Sequence, residues 1–278
     1  MDQKFHVHLV SDSTGETLNA MVNAALAQFE GVDVHLHSYA LVRSPHQLDR
    51  ALDHIAIAPG QVFFTLANPT LRDKLVRGCD SLLIECLDVL EGPVTTLRSF
   101  LGKSETHKVG RQHEVDQAYL NRIEVLNFTI AHDDGQSLDT IEQAEVILVG
   151  ASRTSKTPTC IYLAIRGVRA ANIPLVPGMK LPPALTSGKK NPMIVGLWVS
   201  PDRLVQVRRT RLASMGEERS TDYIDLESVR AEITNTRKLF ESHDWPCIDV
   251  SRRSIEETAA AVINLLADRQ EKTAESAP

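Results

Sequence analysis

Hydrophobic and polar residues alternate at the start of the chain, with Phe5, Val7 and Leu9 on one side of a predicted strand in "KFHVHLV". A hydroxyl-rich stretch, "SDSTGET", follows. Leu18, Met21, Val22, Ala25, Leu26 and Phe29 then recur at helical spacing, so the opening reads as strand, loop, helix. Further strands are predicted at "VDVHLHSYALV" and "QVFFTLA", and helices near "HQLDRALDHIA" and "TLRDKLVRGC". Strands alternating with helices predict a parallel sheet with helices on its faces.

The polar stretch "GKSETHKVGRQHE" interrupts this pattern and is the expected domain boundary. After it, Tyr119, Leu120, Ile123, Leu126 and Ile130 mark a helix that ends at His132-Asp133-Asp134-Gly135. A second α/β series then runs strand "AEVILVG", helix "TPTCIYLAIRG", strands "ANIPLVP" and "NPMIVGLWV", and helix "PDRLVQVRRTRLASM". A long helix around "DLESVRAEITNTRKLFESH", the strand "PCIDV" and a final helix complete it. Ser254 and Glu257 have the spacing of a capping box, and Ile255, Ala259, Val262, Ile263 and Leu266 supply that helix's buried stripe.

Composition fits this picture. A chain of 278 residues, 42% hydrophobic and 24% charged, is that of a folded protein with two domains of ordinary size. Thirty basic against 36 acidic residues give a formal charge of -6, so no global positive field draws nucleic acid or an anionic membrane; a phosphate ligand needs a local site. The first residues lack a basic, then apolar, leader, and no apolar run approaches the roughly 18 residues that span a bilayer, so a cytoplasmic protein is expected. Cys79, Cys86, Cys160 and Cys247 form no CxxC pair and read as reduced, structural thiols.

Candidate chemistry centres on "VGASRTSKTPTC", Val149 to Cys160. Gly150, Ala151, Ser152, Arg153, Thr154, Ser155, Lys156 and Thr157 match the phosphate-loop pattern G-x-x-x-x-G-K-[ST] except at Ser155, where glycine is replaced. In such a loop the backbone N–H groups and the helix N-terminus cradle the anion, Lys156 reaches the terminal phosphate and the Thr157 hydroxyl serves a metal. The alternative is a plain strand-to-helix turn with a solvated lysine. Arg203, Arg208, Arg209 and Arg211 form either a lid over a nucleotide or a solvated basic helix face. Asp133 and Asp134 read equally as metal ligand plus general base and as a helix stop before Gly135. Ser11, Ser13 and Thr14 in "SDSTGET" either contact phosphate or cap a helix. His6 with His8, and His35 with His37, share strand faces, but no third ligand stands at a zinc spacing.

Taken in order, "SDSTGET", "HEVDQAYLNRIEVLNF", "HDDG", "VILVGASRTSKTPTCIYLA", "ANIPLVP" and "SIEETAA" resemble the bifunctional regulatory proteins of phosphoenolpyruvate synthase and pyruvate, phosphate dikinase, from about Val7 to about Ala261. The resemblance implies a homodimeric serine/threonine kinase that uses ADP to phosphorylate a threonine of its partner, switching it off with release of AMP. It also implies the reversal, in which inorganic phosphate removes the group as pyrophosphate. The resemblance further implies that the partner threonine lies near the histidine that carries phosphate in the partner's own cycle. By the same resemblance Lys156 holds the transferring group, Thr157 holds magnesium, Asp133 and Asp134 are the catalytic acidic pair, and His113, Asp116, Tyr119 and Arg122 belong to a helix motif. His113 and Arg122 join Ser11, Ser13, Thr14, Arg208 and Arg211 as candidate phosphate or partner contacts.

The expected organisation is an N-terminal parallel-sheet α/β domain over 1–104, a connecting segment with the helix and HDDG turn over 105–142, and a P-loop kinase-like α/β domain over 143–278. A compact chain without a transit peptide favours phosphoenolpyruvate synthase over the dikinase as partner. An ATP-dependent kinase of a small metabolite and a non-catalytic nucleotide sensor are the rival readings.

Overall fold

The computed structural model describes residues 4–104, 106, 117–186, 192–215 and 222–275. The chain divides into two units, 1–114 and 115–278, each built on a four-stranded parallel sheet. Among the described residues no helix is long and apolar enough to cross a membrane.

The first unit runs β1 (Lys4–Ser11), α1 (Glu16–Leu26), β2 (Asp33–Tyr39), α2 (Pro45–Ile57), β3 (Gln61–Thr65), α3 (Pro69–Ser81), β4 (Cys86–Asp88) and α4 (Glu91–Leu101), with strand order β2-β1-β3-β4. Burial on both faces of β1 explains its composition. Val7 and Leu9 pack on Leu18 and Val22 of α1, while Val10 joins Leu48, Ile55, Leu71 and Leu75 of α2 and α3. Phe29 falls beyond the end of α1 and is exposed. Ser44 and Gln47 form a capping box at α2, and the Asn68 side chain caps α3.

"SDSTGET" does not cap α1. Gly15 holds the N-cap position at φ 80° and, having no side chain, makes no side-chain cap hydrogen bond. Ser11 Oγ instead accepts the Ser13 N–H at 3.2 Å and the Thr65 hydroxyl at 3.0 Å, while the Asp12 carboxylate accepts the Ala67 N–H at 2.6 Å.

The paired histidines form one row, because the β1–β2 register sets His6 opposite His35 and His8 opposite His37. His6 Nδ1 lies 2.9 Å from His37 Nε2, and the His8 and His37 rings stack at 4.6 Å. A carbonyl can only accept, so His8 carries its proton on Nε2, donating to Ala58 O at 2.8 Å. Its Nδ1 then accepts from the Tyr39 hydroxyl at 3.1 Å. Among the described residues no group of three or more His, Cys, Asp or Glu is arranged to hold a metal ion.

Burial pushes the His8 and His37 pKa values below the ordinary 6.5, and the neighbouring histidines push the same way, outweighing the raising effect of the Ala58 carbonyl on His8. The unfolded chain therefore binds protons first as pH falls through 6.5, and the first unit loses stability below that value. Urea unfolding is expected at a lower midpoint at pH 5.5 than at pH 7.5, with a smaller drop in His8→Asn. Equal drops in the two proteins would remove His8 as the cause.

The second unit runs α5 (Gln117–Ala131), a 3-10 turn Asp133–Gly135, a second single turn Ile141–Gln143, β5 (Val146–Gly150), α6 (Lys156–Ile165), β6 (Ala170–Pro174), α7 (Pro183–Thr186), β7 (Met193–Trp198), α8 (Pro201–Met215), α9 (Leu226–Ser242), β8 (Cys247–Asp249) and α10 (Ile255–Glu275). Its order, β6-β5-β7-β8, has the same connectivity as the first sheet. Every residue of β5 is buried, as its unbroken apolar run requires. The capping box at α10 forms, Ser254 Oγ accepting the Glu257 N–H at 3.1 Å and Glu257 accepting the Ser254 N–H at 2.8 Å.

The helix and acidic turn placed in a connector by sequence lie in this second unit, with α5 packed on α6. The buried face of α5 also differs from the apolar stripe. Val125, Thr129 and, just past its end, His132 point inward, while Leu120, Ile123 and Ile130 are exposed. Thr129 Oγ1 accepts the N–H of Ala170 at 3.3 Å, so α5 presents a hydroxyl to the edge strand β6 rather than its hydrocarbon.

Candidate active site

β5 is where the sheet's connections diverge, to β6 on one side and β7 on the other, and the crevice at the C-terminal ends of such strands is where ligands enter α/β sheets. Gly150 ends β5 there. A Cβ on it would meet Leu197 O at 2.3 Å, so only glycine lets β7 approach. The loop then turns through Arg153 at φ 74° and Ser155 at φ 59°, with the Thr154 hydroxyl donating to Ala151 O at 3.0 Å. Ser155 thus adopts the left-handed conformation usual for glycine, at a cost of about 1 kcal/mol. No side chain caps α6, so its leading N–H groups and dipole face the loop as an anion-binding end.

Lys156 begins α6 and is buried, its ammonium donating to Gly150 O at 3.1 Å and Ala151 O at 2.9 Å. Burial lowers its pKa to about 8, and Asp134 is the strongest of the groups that oppose the drop. The next residue, Thr157, donates its hydroxyl to Asp133 Oδ1 at 2.8 Å. Asn172 of β6 completes the arrangement. Its amide donates to the same carboxylate oxygen, and its Oδ1 accepts the Asp134 N–H at 3.2 Å.

The acidic turn is therefore fixed to the start of α6, and its two carboxylates differ. Asp133 Oδ1 takes two donors, whereas among the described residues the Asp134 carboxylate accepts no hydrogen bond. Asp134 sits at φ 49°, ψ 38°, a conformation that Asp tolerates better than most residues. Upstream, His132 Nδ1 donates to Phe128 O at 2.7 Å and Nε2 lies 2.9 Å from the Thr140 hydroxyl, anchoring the turn on both sides.

Arg208 is placed otherwise than in a lid. It is 2% exposed and holds both oxygens of Glu232 at 2.8 and 2.9 Å. It also donates to Tyr223 O at 3.1 Å and Ser152 O at 3.3 Å, and lies 4.3 Å above the Tyr223 ring. It braces the loop at Ser152 from α8 and α9. Arg203 bonds Gln206 at 2.8 Å, and Arg209 and Arg211 are exposed.

Arg122 is exposed on α5, while His113 and Asp116 and the Tyr119 side chain lie outside the described residues. Ser11, Ser13 and Thr14 belong to the first unit. Asn172 was missed from sequence, although a lone amide in a buried strand is itself a signal, since such a group requires partners.

The Thr157 hydroxyl and Asp133 carboxylate are hard oxygen donors 2.8 Å apart, which suits magnesium, an ion that takes one or two protein oxygens and fills its shell with phosphate and water.

The sequence matches the Kinase/pyrophosphorylase family over residues 7–263. A protein of Caulobacter vibrioides named pyruvate, phosphate dikinase regulatory protein is 57% identical over 94% of this chain and 83% of its own length. Proteins of the same name from Hyphomonas neptunium and Maricaulis maris are 52% and 50% identical, covering 95% and 98% of this chain and 95% and 97% of their own. Among solved structures, an ABC transporter solute-binding protein from Agrobacterium vitis aligns over 94% of this chain and all of its own at 12% identity, but its TM-score of 0.27 is too low to bear on the fold. With the family match running over residues 7–263 and an acidic turn hydrogen-bonded to the start of α6, the chain belongs to the Kinase/pyrophosphorylase family.

Proposed function

We propose that the second unit moves a phosphoryl group from ADP to a threonine of a pyruvate, phosphate dikinase, releasing AMP, and removes it again with inorganic phosphate, releasing pyrophosphate. The carrying observation is the Thr157–Asp133–Asn172–Asp134 chain of hydrogen bonds, which ties an acidic pair to a loop that holds a lysine. The relatives' names favour the dikinase over the phosphoenolpyruvate synthase expected from sequence. A homodimer, which the resemblance implies, and a cytoplasmic location, which the sequence leads us to expect, are part of the reading.

The α6 N-terminus and Lys156 bind the β-phosphate, the lysine leaving the Gly150 and Ala151 carbonyls for phosphate oxygens. Thr157 and Asp133 would hold magnesium, which when bound neutralises charge on the phosphates. Asp134, with its carboxylate uncommitted, takes the proton as the threonine oxygen bonds to the β-phosphorus and the bond to the bridging oxygen of AMP breaks. In the reverse reaction an oxygen of inorganic phosphate attacks the phosphothreonine phosphorus, the P–O(threonine) bond breaks, and Asp134 returns a proton to the hydroxyl.

The test is to incubate the protein with magnesium, the dikinase and either β-labelled ADP or γ-labelled ATP, and then to map the label. The expected result is label on a dikinase threonine from ADP and none from ATP. Label from ATP alone, or on a small molecule, would show an ordinary P-loop kinase; absence of label would favour a nucleotide sensor.

A further inference from the structure

A cavity of about 470 Å³ opens beside Asp134 within the second unit. This is the size class of sites that take drug-sized ligands or short peptide stretches. Its walls are largely hydrocarbon: Leu138 beyond the acidic turn, Ile173 at the end of β6, Leu175 and Leu181 in the following segment, and Leu239 of α9. Apolar surface continues outward over the rim, where Val176 is 49% and Met179 70% exposed. Residues 150–157, Asp133 and Asn172 do not line this space, and of that hydrogen-bonded chain only Asp134 borders it.

We propose that this cavity receives the apolar side chains flanking the acceptor hydroxyl of the protein substrate. The inference rests on the phosphoryl-transfer reading above. In-line displacement puts the acceptor oxygen opposite the leaving phosphate, on the side where a base takes its proton. Asp134 borders the cavity, so what enters there is continuous with the acceptor and not with the departing nucleotide.

Charge agrees. Asp134, Glu232 and Lys180 are the charged residues of its described lining, and Glu232 is already engaged by Arg208, so the cavity offers bound phosphates no cluster of cations. A free small molecule has no use for the exposed hydrocarbon of Val176 and Met179, whereas a peptide crossing the rim buries it, and flexible methionine surfaces adapt to such ligands.

Two variants on different elements test the pocket, Leu138→Asn at the half-open edge and Leu239→Asn on α9. With pyruvate, phosphate dikinase as substrate, each is expected to raise the KM for the protein about tenfold, leaving kcat at saturation and the KM for ADP within about twofold. Unchanged ADP affinity also checks that each variant is folded. A raised KM for ADP with an unchanged KM for the dikinase would place the nucleoside in the cavity and overturn the proposal, as would variants that match wild type in both.

Equilibrium binding of the dikinase to wild type and variants separates the pocket from the chemistry. If wild type transfers nothing from ADP, the phosphoryl-transfer reading fails, yet weaker binding by the variants still supports the pocket and equal binding overturns it.

Discussion

Lys156→Ala is expected to abolish label transfer from ADP to the dikinase, a loss of at least about 10³-fold, because the transferring group loses the buried ammonium at the helix N-terminus. The fold should survive. The side chain is buried against two loop carbonyls rather than in the apolar core, so thermal unfolding should shift little beside the catalytic loss. The lysine also carries a pH signature. With its pKa lowered to about 8, the free protein loses the cation as pH rises through that value. ADP affinity should then fall, approaching tenfold per pH unit above pH 8. Lys156→Arg, whose guanidinium stays charged, should show a flat profile over that range even if geometry costs it turnover. Transfer at the wild-type rate in Lys156→Ala would remove the lysine from the mechanism.

What the sequence conveyed about this site followed from local rules. An apolar run ending in glycine and followed by Lys-Thr before a helix signals β5, the loop and α6 without tertiary information, and the structure places all three there. Ser155 looked like a flaw in the motif, yet the loop keeps the left-handed turn, since neighbouring contacts such as Thr154 to Ala151 over-determine a conformation that serine disfavours only mildly.

Long-range partnership was not legible. Arg208 on α8 and Glu232 on α9 are separated by sequence but closed into one buried pair, so a charge pattern that reads as a basic surface face turned inward at a single position. Asn172 gave its acidic partners away only once β6 lay beside the turn. The stripe on α5 misled for a related reason: periodicity identifies an apolar face but not which neighbour covers it, and the α6 and β6 contacts select Val125 and Thr129 instead. β4 and α4 went unseen because three residues carry no period, and α4 buries no side chain to reveal one.

Asp134→Asn is expected to lower kcat by 10²- to 10⁴-fold with the KM for ADP nearly unchanged, the range that loss of a general base commonly costs. Asparagine is isosteric and tolerates φ 49° as aspartate does, and the N–H that bonds Asn172 is untouched, so the turn keeps its shape while its free carboxylate disappears. Asp133→Asn should differ. Its oxygen accepts from both Thr157 and Asn172, so the change disturbs the loop and the proposed magnesium ligands and should raise the KM for ADP as well as lowering kcat. A loss in Asp134→Asn confined to ADP binding would assign that residue to positioning. The reverse reaction sharpens the contrast, because a threonine oxygen leaving phosphorus needs the same proton back. If one site serves both directions, Asp134→Asn slows phosphate-dependent release of pyrophosphate by a factor similar to its effect on transfer from ADP; an unaffected reverse rate would require a second acid and a second site.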